Sequence, residues 1–212
     1  MISGIAYGVV LNDRRQLREL GSRLNDAPYL GAPQAPVMFI KPRTCFRFHG
    51  AAIPMPDELE RVEAAATLGL LFDRDVTKAQ PANALSGVAA ACLALEVCEP
   101  HDTLHRPAIR QRCRDGFLPL GAFTAFEPAF ATADIHTAID GRRRHTWSLS
   151  DLARPVPELV AAITEFMTLR AGDLLIVGLP GDAPTVEAGE QIEVTAQGLP
   201  ALATVVQRGS IQ

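Results

Sequence analysis

From Val62 to Phe72 the residues alternate. Val62, Ala64, Ala66, Leu68 and Leu70 fall on one side of an extended chain, and Glu63, Ala65, Thr67 and Gly69 on the other. Successive side chains of a strand point to opposite faces, so this pattern fits a strand. The first face is apolar enough for a core. The second is small and mixed, as expected where a strand lines a cavity. A second run, Val88–Cys98, is apolar almost throughout and is broken only by Glu96. By pattern alone such a run is a buried strand or a buried helix; following Gly87, a strand is preferred. Either way Glu96 is an acid in apolar surroundings. If it is buried without a partner, its pKa rises.

Shorter elements surround these two. Ile2–Leu11 reads as a first strand. Asn12 or Asp13 caps a helix over roughly Arg14–Leu24, with Leu17, Leu20 and Leu24 on one face. Val37–Ile40 reads as a short buried strand running into Lys41-Pro42, and Pro81 suits the first turn of a short helix ending near Leu85. Asp140-Gly141 is a hairpin turn between Ile135–Ile139 and Arg143–Trp147. Val156, Leu159, Val160, Ile163 and Met167 make one helical stripe, with Pro155 at its start and Gly172 just past its end. Near the end, Gly172-Asp173 and Gly189-Glu190 are each a glycine–acid turn feeding a strand. No linker, repeat or heptad seam divides the 212 residues, so one domain is expected.

The net charge of −4 argues against a general binder of nucleic acid or anionic membrane. No stretch approaches the ~20 apolar residues of a membrane span, and the apolar start lacks the basic leader of a signal peptide. A soluble cytoplasmic protein is therefore expected. Cys45, Cys92, Cys98 and Cys113 form no C-x-x-C pair and read as buried cytosolic thiols.

The segment from Glu96 to Phe117 is richest in chemistry. His101 and His105 are four apart, which on a helix would suit a metal. Pro107 limits such a helix and no H-E-x-x-H is present, so a surface pair is the plainer reading. Arg106, Arg110, Arg112 and Arg114 are either a solvated face with neighbouring acids or a pocket for carboxylates, which guanidinium forks match bidentately. Arg142, Arg143 and Arg144 read as solvent-exposed. No G-x-S-x-G elbow, P-loop or G-x-G-x-x-G precedes a helix.

Taken in order, Leu11-Asn12, Phe39-Ile40-Lys41-Pro42, Ile53-Pro54, Arg106-Pro107-Ala108-Ile109, Arg112 through Phe117 with Gly121, Glu165–Leu169, Gly172-Asp173 and Gly178-Leu179-Pro180 resemble the fumarylacetoacetate hydrolase superfamily. Within it they resemble the group that acts in 4-hydroxyphenylacetate (homoprotocatechuate) breakdown, whose two related halves are fused in some members. The resemblance implies a mixed-β fold with few helices, a β-roll or β-sandwich with a central pocket. A small strand–helix–strand part over 1–45 would precede a roll over 46–212. It implies decarboxylation of 5-carboxymethyl-2-oxo-hex-3-ene-1,6-dioate, then isomerisation of the hydroxydienedioate product. It further implies a homodimer, or a hetero-oligomer with a homologous metal-binding subunit.

In active relatives Mg²⁺ or Mn²⁺ is held by a Glu-x-Glu on one strand and an Asp on another. Here those positions correspond to Ala65, Thr67 and Glu96. A histidine near the start of active relatives corresponds to Gln16, and a pocket lysine to Arg112. Glu63 lies about 7 Å from Ala65 along the strand, too far for a direct exchange of ligands. Glu96 is thus the residual metal candidate, and only weak Mg²⁺ or Mn²⁺ binding is expected. The resemblance nominates Glu96, Arg112 and Asp115 for catalysis, and Lys41, Arg106, Gly178 and Pro180 for contact with a multiply carboxylated substrate. Three readings follow: a decarboxylase/isomerase subunit with a degraded metal site, a non-catalytic partner of a metal-binding homologue, and a binding module for acidic metabolites.

Overall fold

The computed structural model describes residues 2–48, 50–101 and 108–209. In chain order the elements are β1 (Ala6–Val10), α1 (Arg14–Leu20), β2 (Val37–Lys41), β3 (Phe46–Phe48), β4 (Ile53–Met55), β5 (Arg61–Phe72), β6 (Val88–Cys98), α2 (Ile109–Arg112), β7 (Leu118–Leu120), β8 (Thr124–Ala125), β9 (Asp134–Ile139), β10 (Arg142–Ser148), α3 (Val156–Thr164), β11 (Leu174–Ile176), β12 (Thr185–Glu187), β13 (Gln191–Ala196) and β14 (Leu199–Arg208).

Two sheets organise them. The larger runs β2-β1-β11-β5-β6-β7-β3, with β12 also pairing β5 and β8 pairing β6. The smaller runs β10-β9-β13-β14-β4. From the strand–helix–strand start, β1 and β2 extend the large sheet at one edge.

The antiparallel pair β5/β6 is the centre of the molecule, and it follows the two patterns from which the reading began. Val62, Ala64, Ala66, Leu68 and Leu70 join Ala91, Leu93, Leu95 and Val97 on one face. That face packs against β9, β13 and β14 of the smaller sheet and forms the main core with them. The opposite face carries Glu63, Ala65, Thr67 and Gly69 from β5, in register with Cys98, Glu96, Ala94 and Cys92 from β6.

α3 covers the core with Val156, Leu159, Val160 and Ile163, as its stripe predicts. It stops at Thr164, so Met167 packs from beyond the helix and Gly172 (φ 88°) belongs to the turn into β11. The Asp140-Gly141 hairpin is present, both residues having positive φ as a tight primed turn requires.

Three expectations are corrected. The first helix ends at Leu20 and continues as a 3-10 turn through Asn25, and of its proposed apolar face only Leu24 is buried. β2 is an edge strand with Ile40 49% exposed, so its apolar residues are not a buried run. The segment after Pro81 is a turn followed by a 3-10 helix, Ala84–Gly87. Among the described residues no helix is long and apolar enough to cross a membrane.

Asp13 ties the first helix to a distant turn. Its Oδ1 accepts the Arg15 N–H as an N-cap, and its Oδ2 accepts the Gly181 N–H, each at 2.9 Å.

Candidate functional site

The polar face of β5/β6 floors a cavity of about 220 Å³. β5 contributes Glu63 and Ala65, and β6 contributes Glu96. Arg112 enters from α2, Gln16 from α1, and Val10 and Leu11 from the end of β1. His101 and the turn Leu179, Pro180, Gly181 and Ala183 complete the wall. Gln16 packs so closely on Gly181 that any side chain there would collide with it.

Glu96 is the centre of the site. Its side chain is 1% exposed and its two oxygens face two cations: Oε2 accepts from Arg112 Nη1 at 2.7 Å, and Oε1 lies 2.8 Å from Lys41 Nζ. The ammonium of Lys41, itself fully buried, donates to the carbonyls of Val97 and Phe117 at 3.1 and 2.9 Å and to that of Arg112. Three ammonium protons are thereby aimed at three carbonyls. The fourth oxygen neighbour, Glu96 Oε1, closes a buried ion pair with the same ammonium. Glu96 is therefore buried with two charged partners.

The Arg112 guanidinium also lies over the Phe39 ring, 5.2 Å from its centroid. Burial is the largest single influence and works against its charge, but the charge and hydrogen bond of Glu96, with Cys98 and Glu63, together hold its pKa above the ordinary arginine value. Burial raises the Glu63 carboxyl, with a smaller addition from the Glu96 charge; Arg112 and His101 pull the other way. Burial, with Glu96 nearby, pushes the Cys98 thiol up to about 12.

Of the nominated residues, Glu96, Arg112 and Pro180 line the cavity, and Lys41 lies behind Glu96. Gly178 stands beside it, its carbonyl accepting the Thr67 hydroxyl at 2.6 Å. Asp115 is exposed and is not part of the lining. Arg106, with His105, lies outside the described residues. Arg114 pairs with Glu99 and Glu58, and Arg110 is exposed, so within the described basic run only Arg112 reaches the cavity. Glu63 and His101, which sequence reasoning set aside, both line it. The small, mixed face of β5 was the signal for Glu63.

The residues present do not fit a divalent cation. Ala65, directly opposite Glu96, offers no oxygen, and the Thr67 hydroxyl is committed to Gly178. Lys41 and Arg112 already neutralise Glu96 and would repel a second positive charge. Among the described residues no group of three or more His, Cys, Asp or Glu is arranged to hold a metal. What the arrangement offers is a buried guanidinium for a carboxylate, with two carboxyl groups beside it.

Comparison with known proteins agrees with this architecture. The chain is 35% identical over 201 residues to the 4-hydroxyphenylacetate degradation bifunctional isomerase/decarboxylase of Escherichia coli, covering 95% of this chain and 46% of that protein. It thus spans about half the length of that relative. The crystal structure of 5-carboxymethyl-2-hydroxymuconate delta-isomerase from Mycobacterium smegmatis superposes with a TM-score of 0.83 at 22% identity, covering 100% of this chain and 81% of the other. Fumarylpyruvate hydrolase from Pseudomonas aeruginosa, solved in complex with Mn²⁺ and pyruvate, gives 0.81 at 22% identity over 97% and 90%. These likenesses establish the mixed-β, few-helix fold. The model of the fumarylacetoacetate (FAA) hydrolase C-terminal family matches residues 6–207, nearly the whole chain, and the chain belongs to the fumarylacetoacetate hydrolase family.

Proposed function

We propose that this chain is a subunit of the 5-carboxymethyl-2-oxo-hex-3-ene-1,6-dioate decarboxylase and 2-hydroxyhepta-2,4-diene-1,7-dioate isomerase of 4-hydroxyphenylacetate catabolism, working without a tightly held metal. The observation that carries this reading is the 35% identity to the bifunctional isomerase/decarboxylase, spread over 95% of the chain. The cavity supports it: a guanidinium that lies over the Phe39 ring and lines the cavity suits a substrate with several carboxylates.

Of the two reactions, isomerisation suits these residues. It removes the proton of the 2-hydroxyl and adds one at C5, so the diene becomes a 2-oxo-3-ene with no atom gained or lost. Arg112 holds the neighbouring carboxylate. Glu96 receives the hydroxyl proton, Glu63, whose burial raises its proton affinity, delivers one to C5, and transfer of the proton from Glu96 to Glu63 restores both. Lys41 positions Glu96.

The experiment is turnover of the hydroxydienedioate by this chain alone after exhaustive chelation. A rate well above the uncatalysed one is expected, and a background rate would remove the reading.

A second reading, a non-catalytic partner of a metal-binding homologue, is favoured by Ala65 and Thr67 on the cavity floor. It predicts co-purification with a homologue bearing Glu-x-Glu, and turnover only by the pair.

A further inference from the structure

We infer that Asp182, which does not line the cavity, is a positioning residue for it: its carboxylate pins one wall of the cavity to α1 and to β10, and so sets how firmly that wall meets a bound diacid. This rests on reading the cavity as the site of the hydroxydienedioate and adds a residue outside the lining on which that site depends.

The wall is a stretch that the sheet does not hold. β11 and β12 both pair with β5, Ile176 opposite Gly69 and Thr185 opposite Glu63. The flanking backbone bonds run from Val177 N–H to the Leu68 carbonyl at 3.2 Å and from Ala64 N–H to the Pro184 carbonyl at 2.9 Å. Between them, among the described residues, no backbone-to-backbone hydrogen bond reaches 178–183. Side chains hold this arch instead. The Thr67 hydroxyl donates to the Gly178 carbonyl at 2.6 Å, and Asp13 accepts the Gly181 N–H at 2.9 Å. Asp182 supplies the remaining ties. Its Oδ2 lies 2.7 Å from Arg15 Nη1 on α1, and its Oδ1 lies 2.9 Å from His145 Nε2 on β10. A carboxylate only accepts, so His145 Nε2 carries the hydrogen.

The positions of these groups say what the ties do. The Arg15 and Asp182 side chains are 58% and 36% exposed, too open for their pair to add much to global stability. The residues on either side of Asp182, Leu179 to Gly181 and Ala183, line the cavity. β10 is the edge strand of the smaller sheet, while the arch leaves and rejoins the larger one. One carboxylate thus joins the arch to an element of each sheet, His145 being the better shielded partner at 10% exposure. Without it the arch keeps Thr67 and Asp13 at its first half and loses both ties at its second. A ligand must then order the wall as it binds, which costs affinity. Proton transfer between Glu96 and Glu63 is untouched.

The test is turnover of the hydroxydienedioate by the intact chain in excess EDTA, with succinate affinity measured by titration calorimetry on the same samples. D182A is expected to raise KM and the succinate Kd about fivefold to tenfold, with kcat within about twofold of wild type. Its melting temperature is expected to stay within about 2 °C of wild type. H145A should shift KM and Kd the same way, and H145Q, whose amide can donate in place of Nε2, should recover most of the loss. Unchanged KM and Kd in D182A, a fall confined to kcat, melting lowered by many degrees, or H145Q no better than H145A would each overturn the positioning role. So would a wild-type chain that neither turns over the hydroxydienedioate nor binds succinate. Succinate binding without turnover ends the activity alone, and the Kd ratio between D182A and wild type then decides the role of Asp182.

Discussion

Lys41, at the end of an edge strand, and Glu96, on the central strand β6, meet as an ion pair of 2.8 Å with both side chains shut off from solvent. Removing one member of such a pair leaves the other charged and buried. The K41M variant is expected to lose about 3–5 kcal/mol in chemical denaturation, because Glu96 keeps only Arg112 and three carbonyls lose a donor. K41M/E96L removes both charges and should recover a sizeable part of that loss. A K41M protein within about 1 kcal/mol of wild type would mean the pair does not anchor the site.

Glu63 gives the fold a pH dependence of defined sign. Its folded-state pKa is raised above 4.5, so the neutral carboxyl is the form the fold prefers. The corresponding stabilisation is complete below the unfolded value near 4.5 and is lost as pH climbs through the folded value. E63Q, which stays neutral, should therefore melt higher than wild type at pH 7 and converge with it near pH 4. Melting curves across that range check this, and a gap that widens toward acid would contradict it.

Metal addition and removal should leave the wild-type chain unmoved. Two cations and two carboxylates, Lys41, Arg112, Glu63 and Glu96, already balance at the cavity. Excess EDTA or Mn²⁺ is expected to shift the melting temperature by less than about 1 °C. A65E/T67E places two further carboxylates on the floor, an excess of negative charge that complements one divalent ion. That variant should gain several degrees with Mn²⁺.

Gly8 keeps Arg112 in place at one remove. Gly8 and Phe39 are cross-strand partners on β1 and β2, and a Cβ at Gly8 would fall 2.1 Å from Phe39 Cζ. The ring over which the guanidinium lies can sit there only because residue 8 has no side chain. G8A should cost about 1–3 kcal/mol through overpacking. It should also weaken diacid binding by displacing Phe39, as measured by unfolding and calorimetry on the same sample.

The cysteines should differ in reactivity. Burial lifts the Cys45 thiol to about 11 and that of Cys98 to about 12, and raises Cys92 as well. Cys113 is also raised but is partly exposed. Under native conditions near pH 8, iodoacetamide should modify Cys113 first and spare the other three. Peptide mass spectrometry that finds Cys92 or Cys98 labelled first would contradict the burial described.

β5 was legible because Val62–Leu70 keeps a period of two, and β6 because an apolar run that follows Gly87 favoured a strand; both strands occur where Val62–Phe72 and Val88–Cys98 predicted them. α3 was legible for the corresponding reason at a helical period. The first helix was overextended because leucines at 17, 20 and 24 look like one face, yet Gly21 at φ 48° turns the chain out of the helix between them. The fate of Glu96 was not legible at all. Its partners, Lys41 on a distant edge strand and Arg112 on a four-residue helix, meet it only in the folded chain. Local pattern carries no trace of such a meeting. Glu63 was set aside on distance along its own strand, which says nothing about what faces it across the cavity.

The carboxylate of Asp13, shared between the start of α1 and Gly181, has a mechanical consequence. Gln16 and the Pro180–Gly181 turn are fastened to one buried carboxylate, so parting this helix from this turn to widen the cavity there breaks a hydrogen bond to Asp13.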